Sequence, residues 1–298
     1  MQINSVNLRS AYVGFNAAFM AGIAATTTLH GRIATTVPST TKTNEYGWLG
    51  QFPGFREWIG DRVVNGLAKH GYTLTNKSYE NTIGVDRDDI EDDNLGIYAP
   101  MFRDFGQTGV LFPETLIWAL LKSGWATVCY DGQNFFDTEH PVLNEKGEVI
   151  NVANTDGGNG TPWFLIDDSR SLKPLIYQER KPFTNLVRMD QENDEAVFSK
   201  KEFRYGLDGR CAVGFGFWQT AWGSKQTLDA AHYEAARVGL SSMKGDYGRP
   251  LAITPKLLIV PPALEGAARR IVGNQLTADG GTNEWYNTAE VLVVPWLA

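Results

Sequence analysis

Apolar positions recur at helical spacing in the first half of the chain and at strand spacing through most of the second half. Phe15, Phe19 and Met20, with Val13 and Ala18, predict one amphipathic helix from about Asn7 to Ala24. The threonine-rich stretch Thr26 to Asn44 then reads as extended chain, with Leu29, Ile33 and Val37 spaced along it. A segment so poor in apolar mass builds no core alone, so residues 1–45 read as an arm that orders by lying on another surface.

Residues 46–55 are aromatic and turn-rich, with Tyr46, Trp48, Phe52 and Phe55 among four glycines and prolines, and suit a loop laid on a neighbour. From 56 to 85 apolar and polar residues alternate through Trp58, Val63, Leu67, Tyr72, Leu74, Tyr79, Ile83 and Val85, which predicts a long two-stranded ribbon with its tip at 66–71. Such a hairpin is marginal in water, so its stability has to come from elsewhere. The run Asp86 to Asp93 holds six acids and one base, a strong helix-start signal because acids complement the positive end of the helix dipole. Ile90, Ile97, Met101, Phe105, Phe112, Leu116 and Leu120 continue at near-helical spacing to about Ser123, with Pro100 and Pro113 predicting bends or breaks.

Beyond Trp125 the pattern shortens. Asp131-Gly132 and His140-Pro141 read as turns and Asn154 to Pro162 as a glycine-rich excursion. Trp163 to Ile166, Leu175 to Tyr177, Cys211 to Trp218, Leu257 to Val260 and Val291 to Val294 read as strands. Gln226 to Met243 reads as a helix, and a second runs from Pro262 to about Leu276. Helices and strands mix without strict alternation, which gives an α+β class.

Composition narrows what such a chain can do. Among 298 residues, 43% are hydrophobic and 20% charged, enough for a packed core and too ordered a mixture for wholesale disorder. A net charge of −7 with no run of five Lys/Arg argues against broad capture of nucleic acid. No stretch approaches the roughly 18 apolar residues of a membrane helix, and residues 1–10 lack the basic-then-apolar order of a secretory signal. Cys129 and Cys211 are too few for a disulfide scaffold and read as two reduced, buried thiols.

Chemistry was sought and found thin. Asp131, Asp137, Glu139 and His140 form the densest metal-like cluster, but no second histidine lies at ligand spacing, so a structural turn is the expectation. Asp167 and Asp168 point to opposite faces of a strand and read as surface ion-pairing groups. Gly157 to Gly160 lacks the lysine of a phosphate loop, and His30, His70 and His232 read as ordinary. No catalytic residue, cofactor or metal is assigned.

An arm, a long ribbon, an acid-capped helix and an α+β body, in that order, resemble the major capsid proteins of tailed phages of the HK97 type. More narrowly, the chain is similar to the Mu-like major head subunit (gpT) family. The carrying stretches are Tyr79 to Asp93, Asp131 to Pro141, Phe203 to Arg210 with Gly214 to Gln219 after it, and Leu258 to Glu265. The resemblance covers nearly the whole chain, and its weight lies in the order of the stretches.

The resemblance implies an HK97-like capsid fold, with an N-terminal arm at 1–45 and an extended loop with its flanks at 46–87. A long spine helix and peripheral domain would occupy 88–160, an axial domain 161–285, and a returning C-terminal strand 286–298. It implies a structural protein that assembles with itself as hexamers and pentamers into an icosahedral shell around double-stranded DNA, in the virion, after assembly in the host cytoplasm. A separate scaffold and protease, a portal and a cement protein are the implied partners, with no membrane and no sequence-specific contact with DNA. Inter-subunit contact candidates are Phe15, Phe19, Trp48, Phe52, Arg56, Trp58, Arg62, Lys69, Lys77, Asp88, Asp89, Asp92, Asp93, Arg180 and Lys181. The acidic cluster is expected to meet basic residues of an adjacent subunit, among them Arg56, Arg62, Arg180 and Lys181. Lys69 and Lys77 lie in the loop, but no lysine–asparagine cross-link is assigned. Two rival readings are a virion decoration or tail protein, and a metal-assisted hydrolase using His140 with Asp131 and Asp137.

Overall fold

Residue-level periodicity becomes two five-stranded sheets and a helix pair in the computed structural model, which describes residues 3–47, 49, 71–92 and 95–298. Helix α1 spans Ser5–Ala25 and is capped by the Asn4 side chain, which accepts from the Asn7 N–H at 2.9 Å. After a 3-10 turn at His30–Arg32 come β1 (Ala34–Pro38), β2 (Thr43–Glu45), β3 (Thr73–Thr75) and β4 (Lys77–Asp86). The short α2 (Arg87–Glu91) precedes the long α3 (Tyr98–Lys122). Strands β5 (His140–Leu143), β6 (Val149–Val152), β7 (Thr155–Gly158), β8 (Trp163–Ile166), β9 (Leu175–Lys181) and β10 (Leu186–Met189) follow. Then come α4 (Glu195–Lys200), β11 (Glu202–Phe215), β12 (Ala221–Lys225), α5 (Ala230–Ser241), β13 (Leu257–Val260), α6 (Glu265–Ala268) and β14 (Glu290–Val293).

The first sheet runs β1-β9-β11-β10, with β4 also paired to β11; β1 is parallel to β9 and the other pairs are antiparallel. Its spine is β11, in which Phe203, Tyr205 and Leu207 alternate with half-buried polar or glycine positions, the period of a strand with one face on a core. A register shift at Arg210/Cys211 ends the strict alternation. The second sheet runs β14-β13-β8-β12-β7, and its central β8 buries all four residues, as a strand covered on both faces must.

Helices α1 and α3 cover the first sheet. Phe15 stacks on Phe102 at 4.4 Å, and both meet the ring of Tyr205 edge-on. Two glycines let the helices touch at the backbone. A Cβ on Gly22 would stand 2.0 Å from the Arg103 carbonyl oxygen, and one on Gly106 2.2 Å from that of Phe19.

Several expectations change. The arm does not wait for a neighbour: Leu8, Phe15, Phe19 and Ile33 are buried within the chain, and β1 is a strand of its own sheet. The half of the ribbon at 77–86 pairs along one edge with β11 across ten residues; residues 56–67, its expected partner, lie outside the described residues together with the tip up to 70. Pro100 breaks nothing, because it sits in the first turn of α3, where no donor is needed; the interruption falls before Tyr98, and the helix continues through Pro113. His140-Pro141 opens β5 and is not a turn, and the glycine-rich excursion contains β7. The last long helix is shorter and mixed, passing from a 3-10 turn at Pro262 through α6 into a π-turn that ends at Gly273.

Candidate assembly interface

The proposed contact residues divide into three groups. Phe15 and Phe19 are not contacts, since both are buried against α3. The amphipathic spacing showed correctly that one face of α1 must be covered, and the cover is the chain's own helix. Trp48, Phe52, Arg56, Trp58, Arg62, Lys69 and Asp93 lie outside the described residues. The remainder are Lys77, Asp88, Asp89, Asp92, Arg180 and Lys181.

Within that remainder two acids, Asp88 and Asp89, have partners at home. Asp86 caps α2 by accepting from the Asp88 N–H at 2.8 Å, Asp88 lies 3.5 Å from the Lys201 ammonium, and Asp89 accepts from the Tyr98 hydroxyl at 2.5 Å. Lys181 is engaged too, with its ammonium 2.6 Å from both oxygens of Asp208. Arg180 is half-buried, and its Nη1 is enclosed without a partner among the described residues. Lys77, Asp88 and Asp92 face outward and stay available to a neighbour.

The apolar surface carries a signal that sequence spacing missed. The uncovered side of α1 presents Val6 at 75% exposure, Val13 at 60% and Met20 at 47%, interleaved with Ser10, Ala17 and Ala24 and one charge, Arg9. A helix face meant for water is normally charged. Near the acidic corner, Phe198 on α4 is 89% exposed and Ile97 58%. Exposed apolar groups gathered in this way mark surfaces that are covered in use. The signal was present in α1 as an almost uncharged helix, but burial of one face says nothing about the other until the fold is known.

Beneath these surfaces two polar clamps fix the arm. Glu114, fully buried on α3, accepts through Oε1 from the backbone N–H of Leu29 at 2.6 Å and of His30 at 3.0 Å, with His30 Nδ1 at 2.9 Å. Its Oε2 accepts from the Trp118 indole at 2.5 Å. Burial works to raise the carboxyl, but the hydrogen bonds from His30 and Trp118 outweigh it and hold Glu114 below the usual glutamate range. Arg32 forms the second clamp. It donates to Asp168 at 2.6 Å and, as a two-pronged pair, to Glu290 at 3.0 and 2.9 Å, so arm, β8 exit and β14 meet at one guanidinium. Its hydrogen bonds to Glu290 foremost raise its basicity further, and Glu290 is lowered in turn.

The remaining candidates for chemistry settle differently from their sequence reading. Asp167 is not a surface group: it is buried and accepts from the Ser169 N–H and hydroxyl and from the Thr254 N–H, tying the β8 exit to the segment before β13. Asp131 and His140 do meet, at 2.6 Å, but their third neighbour is Cys129 and neither Asp137 nor Glu139. Both cysteines are free and buried. Burial raises both thiols, Cys211 to about 11, which leaves neither as a nucleophile at neutral pH. Among the described residues no helix is long and apolar enough to cross a membrane.

Comparison with known proteins adds what geometry alone leaves open. The profile of the family described as Mu-like prophage major head subunit gpT matches residues 8–297. The major capsid protein of Escherichia phage Mu is 39% identical over 306 residues, covering 100% of both chains. The Mu-like prophage FluMu major head subunit of Haemophilus influenzae is 42% identical over 282 residues, covering 92% of this chain and 91% of that one. Among solved structures, a chain of the bacteriophage JBD30 procapsid superposes with a TM-score of 0.88 at 45% identity, over 99% of this chain and 100% of that one. A chain of the JBD30 capsid gives a TM-score of 0.76 at 35% identity, over 93% of each.

Proposed function

The chain belongs to the Mu-like prophage major head subunit gpT family, and from that membership we propose that it is the major capsid protein of a Mu-like phage or prophage head. It is a structural protein that builds a shell from copies of itself, and not an enzyme. The observation that carries this reading is the full-length superposition on a procapsid chain at a TM-score of 0.88. The buried arm removes the simplest argument from unsatisfied surface, because the arm's interior comes from α3. What remains for neighbours is the outer face of α1, the Phe198 corner and the outward acids Asp88 and Asp92.

The shell is icosahedral, made of hexamers and pentamers, and encloses double-stranded DNA. The net charge of −7 suits an inner wall that does not capture the packed polymer. Assembly takes place in the host cytoplasm with a separate scaffold and protease, a portal and a cement protein. In this reading residues 1–45 are the arm, 46–87 the extended loop and its flanks, 88–160 the spine helix with the peripheral domain, 161–285 the axial domain and 286–298 the returning strand. The closer match to the procapsid chain than to the capsid chain supports assigning the arrangement described here to the precursor shell.

Negative-stain microscopy of the expressed protein, with and without its neighbouring head genes, tests the reading. Closed shells, tubes or capsomers are expected. A protein that stays monomeric alone and only coats shells built by another chain would instead be a decoration protein.

A further inference from the structure

Cys129, Asp131 and His140 bring a thiol, a carboxylate and an imidazole together with all ligand atoms within 4.8 Å of one another. Cys129 and His140 are buried, and 8% of the Asp131 side chain is exposed. The loop is built for this. The Cys129 N–H donates to the Gln133 carbonyl at 2.8 Å, and Gly132 supplies the left-handed φ of +90° that folds the turn back. Residues 129 and 131 thereby face one side, where the first residue of β5 brings His140.

Hydrogen-bond accounting around His140 then fixes its proton. The Asn154 amide nitrogen donates to the Phe135 carbonyl at 2.8 Å, so its oxygen is the atom that accepts from the Asp137 N–H at 3.0 Å. A flipped amide would set donor against donor and acceptor against acceptor. That same oxygen lies 3.3 Å from His140 Nε2, which must therefore carry the hydrogen. In the neutral ring Nδ1 is then a bare lone pair, 2.6 Å from the Asp131 carboxylate. Two acceptors cannot face each other at that distance unless a positive charge lies between them. A proton meets the need. A divalent metal could take that proton's place once the two atoms move apart, and would recruit the thiol, which lies 2.9 Å from the other Asp131 oxygen.

We propose that Cys129, Asp131 and His140 form a structural site for a thiophilic divalent cation of the zinc class, with Asn154 as the group that orients the histidine. The donor set is borderline-soft, as zinc prefers, and leaves the fourth position to water. Charge closes: one thiolate and one carboxylate balance the dication around a neutral imidazole, so the buried site carries no net charge. The Asn154 contact is the usual second partner of a metal-bound histidine. The His140 ring also lies flat on Trp218 at 3.9 Å, which holds its orientation and favours a positive centre. Present separations are those of hydrogen bonds, and loading moves the three atoms apart to about 3.3–3.8 Å, the span set by metal–ligand bonds of roughly 2.0–2.3 Å. The ion would cross-brace the 129–133 loop to β5, a stabilising role that adds no reaction and does not depend on the shell reading.

The test uses untagged full-length protein, exchanged into metal-free buffer and titrated with zinc or cobalt. Expected are one metal per chain, a thiolate-to-cobalt charge-transfer band, and a rise in melting temperature with zinc. Cys129→Ser is expected to abolish the charge-transfer band, and Asn154→Ser to weaken binding about 10–100-fold. Because either variant can misfold, the wild-type titration decides: substoichiometric metal, no cobalt–thiolate band and an unchanged melting temperature overturn the proposal. Shells without metal would sink only this site, and metal binding by a chain that never assembles would sink only the capsid reading.

Discussion

Glu114 shows how much one side chain decides. A carboxylate removed from water is tolerated because four donors converge on it, three from Leu29 and His30 of the arm and one from Trp118 of its own helix. Glu114→Gln keeps the shape but must turn an N–H toward another donor, either at Trp118 or at the arm. A loss of about 2–4 kcal/mol in chemical denaturation is expected. The pH dependence has a definite sign. Because the folded carboxyl is held below its unfolded value of about 4.3, its contribution is complete above that pH and disappears as pH falls through the folded pKa. The stability gap between wild type and Glu114→Gln is therefore expected to be constant near neutrality and to shrink below about pH 4. Asp131 and Asp167 are lowered in the same direction, so the whole chain shares the acid sensitivity. None of these roles was legible in the sequence. Glu114 sits mid-helix among apolar neighbours with no motif around it, and its donors on the arm are 84 and 85 residues away.

Elements were easier to read than their partners. Periodicity placed α1, β8, β13 and β14 within a few residues, because each repeats its apolar positions at one clear spacing. It did not foresee that the strand at 77–86 lies along β11, since alternation reports that a strand has a covered face and not which strand lies beside it. It also extended one helix back over 86–97, where the acids cap a separate single turn. The α1–α3 contact makes the strongest prediction at this scale. Gly22→Val drives side-chain carbons into the Arg103 backbone, which cannot yield as a flexible side chain does, so a loss of at least about 1–3 kcal/mol is expected by thermal denaturation. Gly14→Ala meets nothing within 4 Å and is expected to be neutral or to stabilise the helix by about 0.5–1 kcal/mol. Equal losses in both would show that helix docking does not govern stability here.

For the molecule as a whole, folding and assembly in the proposed reading use opposite faces of the same helix. Val6, Val13 and Met20 touch little of their own chain, so exchanging all three for glutamate is expected to leave the monomer's circular dichroism and melting temperature unchanged within about 0.5 kcal/mol. In the same variant shell formation is expected to fall steeply, seen by sedimentation or microscopy, because three charges would have to be buried at each contact. Normal particles would place this face in solvent and leave the Phe198 corner as the apolar contact. Fold class and family were legible from the order of segments along the chain. The site of contact was not, because an amphipathic pattern counts faces without naming who covers them.

The pairing of β1 with β9 has a last consequence. Along Leu175 to Glu179 the hydrogen-bonding neighbour on that side, among the described residues, is the arm strand, in parallel register from Ala34↔Leu175 to Pro38↔Glu179. Peeling residues 34–38 away would bare a row of amides and carbonyls, the kind of raw edge that seeks another strand. Any rearrangement that frees the arm would therefore leave a lane of backbone groups for water or another strand to satisfy, so letting go of the arm and exposing a sticky edge are one and the same event.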